Sequence, residues 1–265
     1  MSRPSILSPI IHLAISDLTN VDLMASPMAI NGMKLLRYAK EEGGIPLTKT
    51  NRNFHRRCVE WAAEEFQWPG HTPPDLHAVN KVLNEPDMQP LWVLHGLFLD
   101  TRLMRHFKGK AVLTKAGTST LGNFAELQAL LTEHMLVTPI MDRAPREAMR
   151  IFWDIGHMLS VVSNRLDDWV TLGEMTPWLV PVDLFHTRGA LTPLFSACLY
   201  TSTDFVRPLK WLGLLEEHPE DRPATALEKR RYRKTRLFGQ ALRVLTPGPN
   251  GKGKPERAHH LRVVH

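Results

Sequence analysis

The sequence has few cysteines and no long apolar segment. Its 265 residues include two cysteines, Cys58 and Cys198, too few for the disulfide framework of a small secreted domain. Residues 3–15 loosely resemble a signal peptide, but Pro4 and Pro9 interrupt the apolar run and no small-residue cleavage site follows. No apolar run reaches the roughly 20 residues that cross a bilayer. We therefore expect a cytoplasmic protein without a membrane-embedded segment.

The motifs of common enzymes and metal sites are also missing. The chain contains no GxSxG, GxxxxGK[ST], GxGxxG or HExxH pattern. Among its 13 histidines, His55 shares a helix face with Cys58, but a zinc site needs about four ligands and no second pair follows at ligand spacing. His95 is expected on a helix surface or hydrogen-bonded in the core. The sequence therefore predicts no enzyme activity, cofactor, catalytic residue or metal site.

The composition is that of a globular protein with an uneven charge distribution. Hydrophobic residues make up 43% and charged residues 23% of the chain, and the net charge is +6. Residues 222–265 hold 12 Lys or Arg against 2 Glu, a local net charge of +10. The rest of the chain is therefore slightly acidic, and the basic end is where an anionic partner is expected.

Hydrophobic periodicity predicts a mainly α-helical protein. Apolar residues recur at spacings of three and four residues in most segments, and short strand-like runs separate these segments. Helices are predicted over residues 28–41, 53–66, 75–83, 90–102, 124–135, 142–166, 171–179, 193–199, 204–212 and 235–242. We divide the chain into an N-terminal segment (1–25), a first unit (26–138), a second unit (139–245) and a basic tail (246–265) expected to be mobile.

One pattern occurs twice, at residues 97–117 and 209–239. In each copy an amphipathic helix runs into a short apolar strand, a hairpin returns through basic residues, and a threonine opens the next helix. This is the local plan of a winged helix, in which a two-stranded wing follows a helix-turn-helix. Residues 213–216 and 231–235 also resemble the wing region of winged-helix repressors. The prediction is two tandem winged-helix-like units with extra helices; an all-helical domain with an incidental hairpin remains the alternative.

A further resemblance covers residues 43–122. It rests on the strings IPLTKT (45–50), WPG (68–70), VNKVLNE (79–85) and LTKAG (113–117), together with residues 54–60. These strings are similar to those of a family of uncharacterised bacterial proteins, found as plasmid open reading frames or as passengers of insertion elements. That family usually has glycine where this sequence has Asn51. The resemblance implies architecture and carries over no activity or catalytic residue.

The basic stretch after residue 228 is the main candidate site. Lys and Arg on a protruding hairpin suit phosphate contacts that position a protein on duplex DNA. Two cations on the preceding helix are expected to face the same side. The candidate nucleic-acid-binding residues are Arg207, Lys210, Lys229, Arg230, Arg231, Arg233, Lys234 and Arg236. The alternative is a solvated loop whose charge aids solubility.

The first hairpin offers a secondary basic edge. Its members are Arg102, Arg105, Lys108 and Lys110. Residues 90–99 of the helix before it include no Lys or Arg, which is more typical of an interaction or dimerisation module than of a helix that reads DNA. We therefore expect a non-enzymatic DNA-binding protein that uses the second hairpin. The competing hypothesis is a protein-interaction or assembly module of a mobile-element or phage-related complex, with a protein partner or a second copy docked on the hairpins.

Overall fold

The computed structural model describes residues 10–13, 23–66, 68–136, 155–185, 191–221 and 224–245. The predicted basic tail, 246–265, lies outside these ranges, as do most of the N-terminal segment and the first part of the predicted helix 142–166. The described chain is mainly helical and also contains two three-stranded antiparallel sheets and one two-stranded sheet.

The described residues of the first unit form six helices and three short strands. Ser26 caps its first helix by accepting a hydrogen bond from the Ala29 amide. A 3₁₀ turn at Glu85–Asp87 follows the third helix, which ends at His77 rather than at the predicted Leu83. The elements are α1 (Pro27–Glu41), β2 (Ile45–Pro46), α2 (Arg56–Glu65), α3 (Pro73–His77), α4 (Gln89–Asp100), β3 (Met104–Phe107), β4 (Lys110–Leu113), α5 (Lys115–Ser119) and α6 (Phe124–Leu136); β1 (Ile10–Leu13) precedes them.

The second unit repeats this order in shorter form. A π-helical turn, Thr201–Val206, joins the two helices predicted at 193–199 and 204–212 into one continuous helical segment. Thr171 and Glu174 form a capping box at the start of the helix Leu172–Leu179. The elements are α7 (Ile155–Arg165), β5 (Val170–Thr171), α8 (Leu172–Leu179), α9 (Pro193–Tyr200), α10 (Arg207–Trp211), β6 (Leu215–Glu217), β7 (Arg231–Lys234), α11 (Arg236–Ala241) and β8 (Leu242–Leu245), which pairs with β1.

The two sheets have the same strand order. In the first unit β2 pairs with β4, and β4 pairs with β3. In the second unit β5 pairs with β7, and β7 pairs with β6. In both, the short strand that precedes the helices lies against the returning strand of the hairpin. Each unit therefore holds its hairpin against its helices through one central strand.

The same backbone closure follows both hairpins. The Thr114 amide and hydroxyl donate to the carbonyls of residues 102–103, at 3.0 and 2.6 Å. The Thr235 amide and hydroxyl donate in the same way to the carbonyls of residues 213–214, at 3.0 and 2.6 Å. Each threonine also caps the helix that follows it. Because the same threonine contacts close both hairpins, a threonine follows the hairpin in both copies of the sequence pattern.

Polar and aromatic contacts join the two units across one continuous apolar core. The buried Gln128 amide accepts a hydrogen bond from the Ser26 hydroxyl (2.6 Å) and donates one to the Leu212 carbonyl (2.9 Å). Trp68 packs edge-to-face on Trp211 with ring centroids 5.5 Å apart. Because these partners are far apart in sequence, they fix how the first unit lies on the second.

Gly213 occupies the tightest point of this junction. Its φ of +72° is in the left-handed region that disfavours side chains. A Cβ at this position would lie 2.3 Å from the Ala25 carbonyl oxygen, closer than any ordinary contact.

Gly213→Ala should therefore lower the free energy of unfolding by about 2 kcal/mol or more, through left-handed strain and the backbone clash. Gly239→Ala is the matched control, because a Cβ at Gly239 meets no atom within 4 Å and helical glycine costs about 1 kcal/mol relative to alanine. Urea unfolding measures both. Equal stabilities of the two variants would contradict the packing described at Gly213.

Candidate functional site

The predicted DNA-binding cations of the second hairpin mostly form ion pairs within their own unit. Arg231 contacts Asp221 at 2.9 Å, and this pairing lowers the pKa of the Asp221 carboxyl. Arg233 contacts Glu216 at 2.6 Å, and its guanidinium lies 4.3 Å from the ring centre of Trp169. These side chains are held in place by partners on the same surface.

Two more of the predicted cations share one carboxylate. Lys210 forms a short contact to Glu217, and Arg230 lies 3.9 Å from the same side chain. Lys234 contacts Asp167 at 2.9 Å and donates to a backbone carbonyl of α7. The acidic residues thus offset much of the positive charge that the sequence places on this hairpin.

The remaining predicted cations fall into two kinds. Arg207 is half-buried, donates to Gln89 at 3.1 Å and lies over the Trp211 ring, so it joins the two units. Lys229 and Arg236 are exposed, and neither forms an ion pair with any residue that the structure describes. The structure therefore does not gather all eight predicted residues into one exposed basic surface.

The first hairpin carries cations without carboxylate partners in the described ranges. Its tip is defined here by Arg105, Phe107, Lys108 and Lys110, all exposed. The Phe107 ring is 46% exposed, and Arg105 and Lys108 lie over it at 5.1 and 5.3 Å from its centre. The Lys110 ammonium donates to the Gly43 carbonyl, at 3.4 Å. The tip thus has two cations over an exposed aromatic ring and a third, Lys110, on the paired strand.

Arg102 plays a different part from the other members of the secondary basic edge. It has a φ of +57°, and its carbonyl accepts the Thr114 hydroxyl hydrogen bond. Its position matches that of Gly213 in the second unit, where φ is +72°. Arg102 is exposed at the base of the hairpin, where its backbone closes the turn.

Behind the first hairpin lies a buried chain of three titratable side chains. Glu85 is fully buried and accepts hydrogen bonds from the Phe54 amide and from His95 Nδ1, the latter at 2.6 Å. His95 Nε2 lies 3.0 Å from His106 Nε2. Because both Glu85 oxygens accept, His95 donates to Glu85 through Nδ1, and one further hydrogen bond joins the Nε2 atoms of the two rings. The chain runs from the core to the surface.

This chain opens into a cavity of about 220 Å³, called here the histidine pocket. The loop of residues 51–53 forms one part of the lining, and one side of α4 forms another. The α4 side consists of Trp92, Val93, Gly96 and Leu99, and the two histidine rings complete the lining. Arg52 has a φ of +54°, so its loop turns sharply at the pocket.

The sequence left His95 either on a helix surface or hydrogen-bonded in the core, and the structure shows the second of these. Glu85 lies inside the string VNKVLNE and has no distinguishing signal, because a glutamate destined for the core reads like a surface one. His106 falls in an alternating strand beside exposed Arg105. The sequence signal that could have found it is the alternation of this strand, which places His106 on the inner side, where His95 of the preceding helix can contact it.

The described residues form no metal centre. Both ring nitrogens of His95 already face Glu85 and His106, so the three side chains form a line and do not converge on one point. Within the described ranges there is no group of three or more potential metal ligands, and burial raises the pKa of the Cys58 thiol. None of the described helices is long and apolar enough to cross a membrane.

Comparison with known proteins identifies the family. The family described as the Y4jL N-terminal domain matches residues 24–126. The uncharacterized protein y4jL of Sinorhizobium fredii (strain NBRC 101917 / NGR234) is 32% identical over 177 residues, which cover 65% of this chain and 79% of the relative. The chain belongs to the y4jL family. The expectation of an uncharacterised bacterial family is thereby confirmed, and no solved structure matches the chain.

The matched y4jL domain contains both features of the first unit. Residues 24–126 include the first hairpin and every residue that lines the histidine pocket. The second hairpin lies beyond that domain. The relative's name assigns no activity, so the function must be argued from the chemistry of these surfaces.

Glu85→Gln should lower the free energy of unfolding by about 2 kcal/mol or more, because an amide cannot accept from both the Phe54 amide and His95 without turning its own NH₂ group towards a donor. Glu64→Gln, at an exposed position of α2, is the control and should change stability by less than about 0.5 kcal/mol. Urea unfolding at neutral pH gives both values. A Glu85→Gln protein as stable as the control would contradict the buried acceptor.

The pH dependence of stability should include a contribution from His106. Burial, His95 and Arg52 lower the pKa of His106 below its ordinary value, so the folded state favours the neutral ring. Its contribution is present above the unfolded-state pKa of about 6.5 and is lost as the pH falls through the lower folded-state value. His106→Gln should reduce the loss of stability between about pH 7 and 5. An unchanged loss would contradict this environment.

Proposed function

We propose that this y4jL-family protein binds duplex DNA through the tip of the first hairpin, on a scaffold of two tandem winged-helix-like units. The observation that carries the proposal is the exposed tip, where Arg105 and Lys108 lie over the Phe107 ring and Lys110 is exposed on the paired strand, with no carboxylate paired to these cations in the described ranges. Cations on a protruding hairpin contact phosphates, and an exposed ring inserts or stacks in a groove.

The order of elements supports the winged-helix scaffold. In the first unit α1 and the short strand β2 precede three further helices, α2 to α4, and the hairpin, and β2 pairs with the returning hairpin strand. The second unit has the same order and pairing. A winged helix is built from this sequence of elements, and its wing extends beside the helix that enters a groove.

The proposed contact surface differs from the one expected from the sequence. Arg231, Arg233 and Lys234 form ion pairs within the second unit, so moving them to phosphates would leave three carboxylates unpaired. The cations at the first hairpin tip require no such exchange. This difference favours the first hairpin as the main phosphate contact and leaves exposed Lys229 and Arg236 as secondary candidates.

The triple variant Arg105→Gln/Lys108→Gln/Lys110→Gln should weaken duplex binding by about tenfold or more at physiological salt. The slope of its salt dependence should also fall by roughly one unit for each phosphate that the variant no longer neutralises. Fluorescence anisotropy with a labelled duplex, over a range of salt concentrations, measures both. The charge-matched control is Arg37→Gln/Lys81→Gln/Arg165→Gln, three exposed cations outside the hairpins, which should bind like the parent.

The variant Lys229→Gln/Arg236→Gln completes the comparison. A small loss of affinity relative to the first-hairpin triple agrees with the proposal. A loss confined to Lys229→Gln/Arg236→Gln would place the DNA on the second hairpin and overturn it. Absence of duplex binding by the parent would overturn DNA binding altogether.

One observation favours a second candidate, a protein-interaction module of a mobile-element or phage-related assembly. The outer side of α4 is apolar, with Trp92 48% exposed, and α4 carries no Lys or Arg. A helix that enters a DNA groove usually presents cations or amides there. Light scattering and pull-down distinguish the two candidate functions. A stable complex with another protein or with a second copy of the chain, together with no duplex binding, supports the protein-interaction module.

A further inference from the structure

We infer that the histidine pocket is a binding site for a small oxyanion, phosphate or carboxylate, attached to a single apolar ring. Nothing in the family comparison assigns this site. The inference does not rest on DNA binding, because the pocket is lined by the α4 wall and loop 51–53 and not by the hairpin tip.

The charge and hydrogen-bonding groups of the pocket suit an anion. Arg52 is the cation of the lining, and Asn51 and Asn53 add amide donors on the same loop. No Asp or Glu lines the cavity. The Glu85 carboxylate does not line it either, and both of its oxygens accept hydrogen bonds from the Phe54 amide and His95. The lining therefore contains donors and one positive charge without an exposed negative group to repel an anion.

The hydrogen-bonded chain behind the pocket holds its two imidazole rings in place. Glu85 accepts a hydrogen bond from His95 Nδ1 at 2.6 Å, and His95 Nε2 lies 3.0 Å from His106 Nε2. Glu85 and His95 thus act as positioning residues, and His106 is the more exposed of the two imidazoles that line the pocket.

The α4 side of the pocket suits an apolar ring. Exposed Trp92 offers an aromatic face, and Val93 and Leu99 are partly exposed beside it. Gly96 leaves this wall open, because a Cβ there would meet no atom within 4 Å. The volume of about 220 Å³ is below the roughly 300–1,000 Å³ typical of sites for drug-sized ligands. One ring with one charged group is therefore the size that fits.

The full-length protein can be titrated with phenyl phosphate and with benzoate, with inorganic phosphate and phenol as comparison ligands. Calorimetry gives affinity, and the ring signals of His95 and His106 in NMR spectra report the site. At least one of the two ring anions should bind in the millimolar range or tighter and shift both histidine signals. Binding of phenyl phosphate alone assigns a phosphate, binding of benzoate alone assigns a carboxylate, and binding of both assigns the shared oxyanion chemistry.

Two variants test the two walls. Gly96→Leu fills the ring side and should weaken binding by about tenfold or more, while it also replaces a helical glycine by a better helix former. Arg52→Asn removes the charge and should weaken binding similarly; asparagine tolerates the positive φ of this position. The matched controls are Gly239→Leu, another open helical glycine, and Arg56→Gln, an exposed nearby cation. Both should bind like the parent.

Three results would overturn the inference. The first is no binding of either ring anion at millimolar concentrations. The second is phenol binding as tightly as the anions, because the site would then not select charge. The third is undiminished binding by Gly96→Leu and Arg52→Asn, which would place the ligand elsewhere. Each of these results leaves the hairpin experiment unaffected, so failure of this inference is distinguishable from failure of DNA binding.

Discussion

The buried carboxylate of Glu85 is the constraint that organises the first unit. An ionised carboxylate in an apolar core is tolerated only when donors surround it. Here the donors come from the Phe54 amide and from His95 on α4, and His95 in turn reaches His106 on β3. The loop, the helix and the hairpin therefore meet at one buried side chain, and their meeting point creates both the histidine pocket and the base of the hairpin.

Charge has a different effect in the second unit. There the cations pair with carboxylates on neighbouring elements, as Arg231 does with Asp221, whose side chain is 5% exposed. Such partly buried pairs hold a hairpin to its own unit and leave little net field for a distant partner. The two hairpins share a closure and a strand order, yet one uses its charges internally and the other presents them to solvent. This contrast is the basis for assigning the external contact to the first.

Local patterns in the sequence were enough to predict much of the fold. The two hairpins and the threonine that opens the helix after each of them were predicted, because capping and turn chemistry depend on a few adjacent residues. The continuity of the helical segment from 193 to 211 was not predicted, since a π-helical turn has no clear local signal.

The candidate sites were harder to predict for a physical reason. Whether a cation is free depends on carboxylates that are distant in sequence, as with Lys234 and Asp167, and composition alone counts both partners as surface charge. The pocket likewise depends on Glu85 being buried, which becomes evident only once α4 and β3 are placed beside it. The relationship to y4jL identifies the family and the extent of its N-terminal domain, residues 24–126, but assigns no chemistry to any residue.

The most direct test of this account is a map of backbone amide shifts in deuterated, ¹⁵N-labelled protein as duplex DNA is added at physiological salt. The account predicts that the largest changes fall on residues 105–110 of the first hairpin, with small changes on residues 229–236. Changes concentrated on residues 229–236, or no changes at either hairpin, would contradict it.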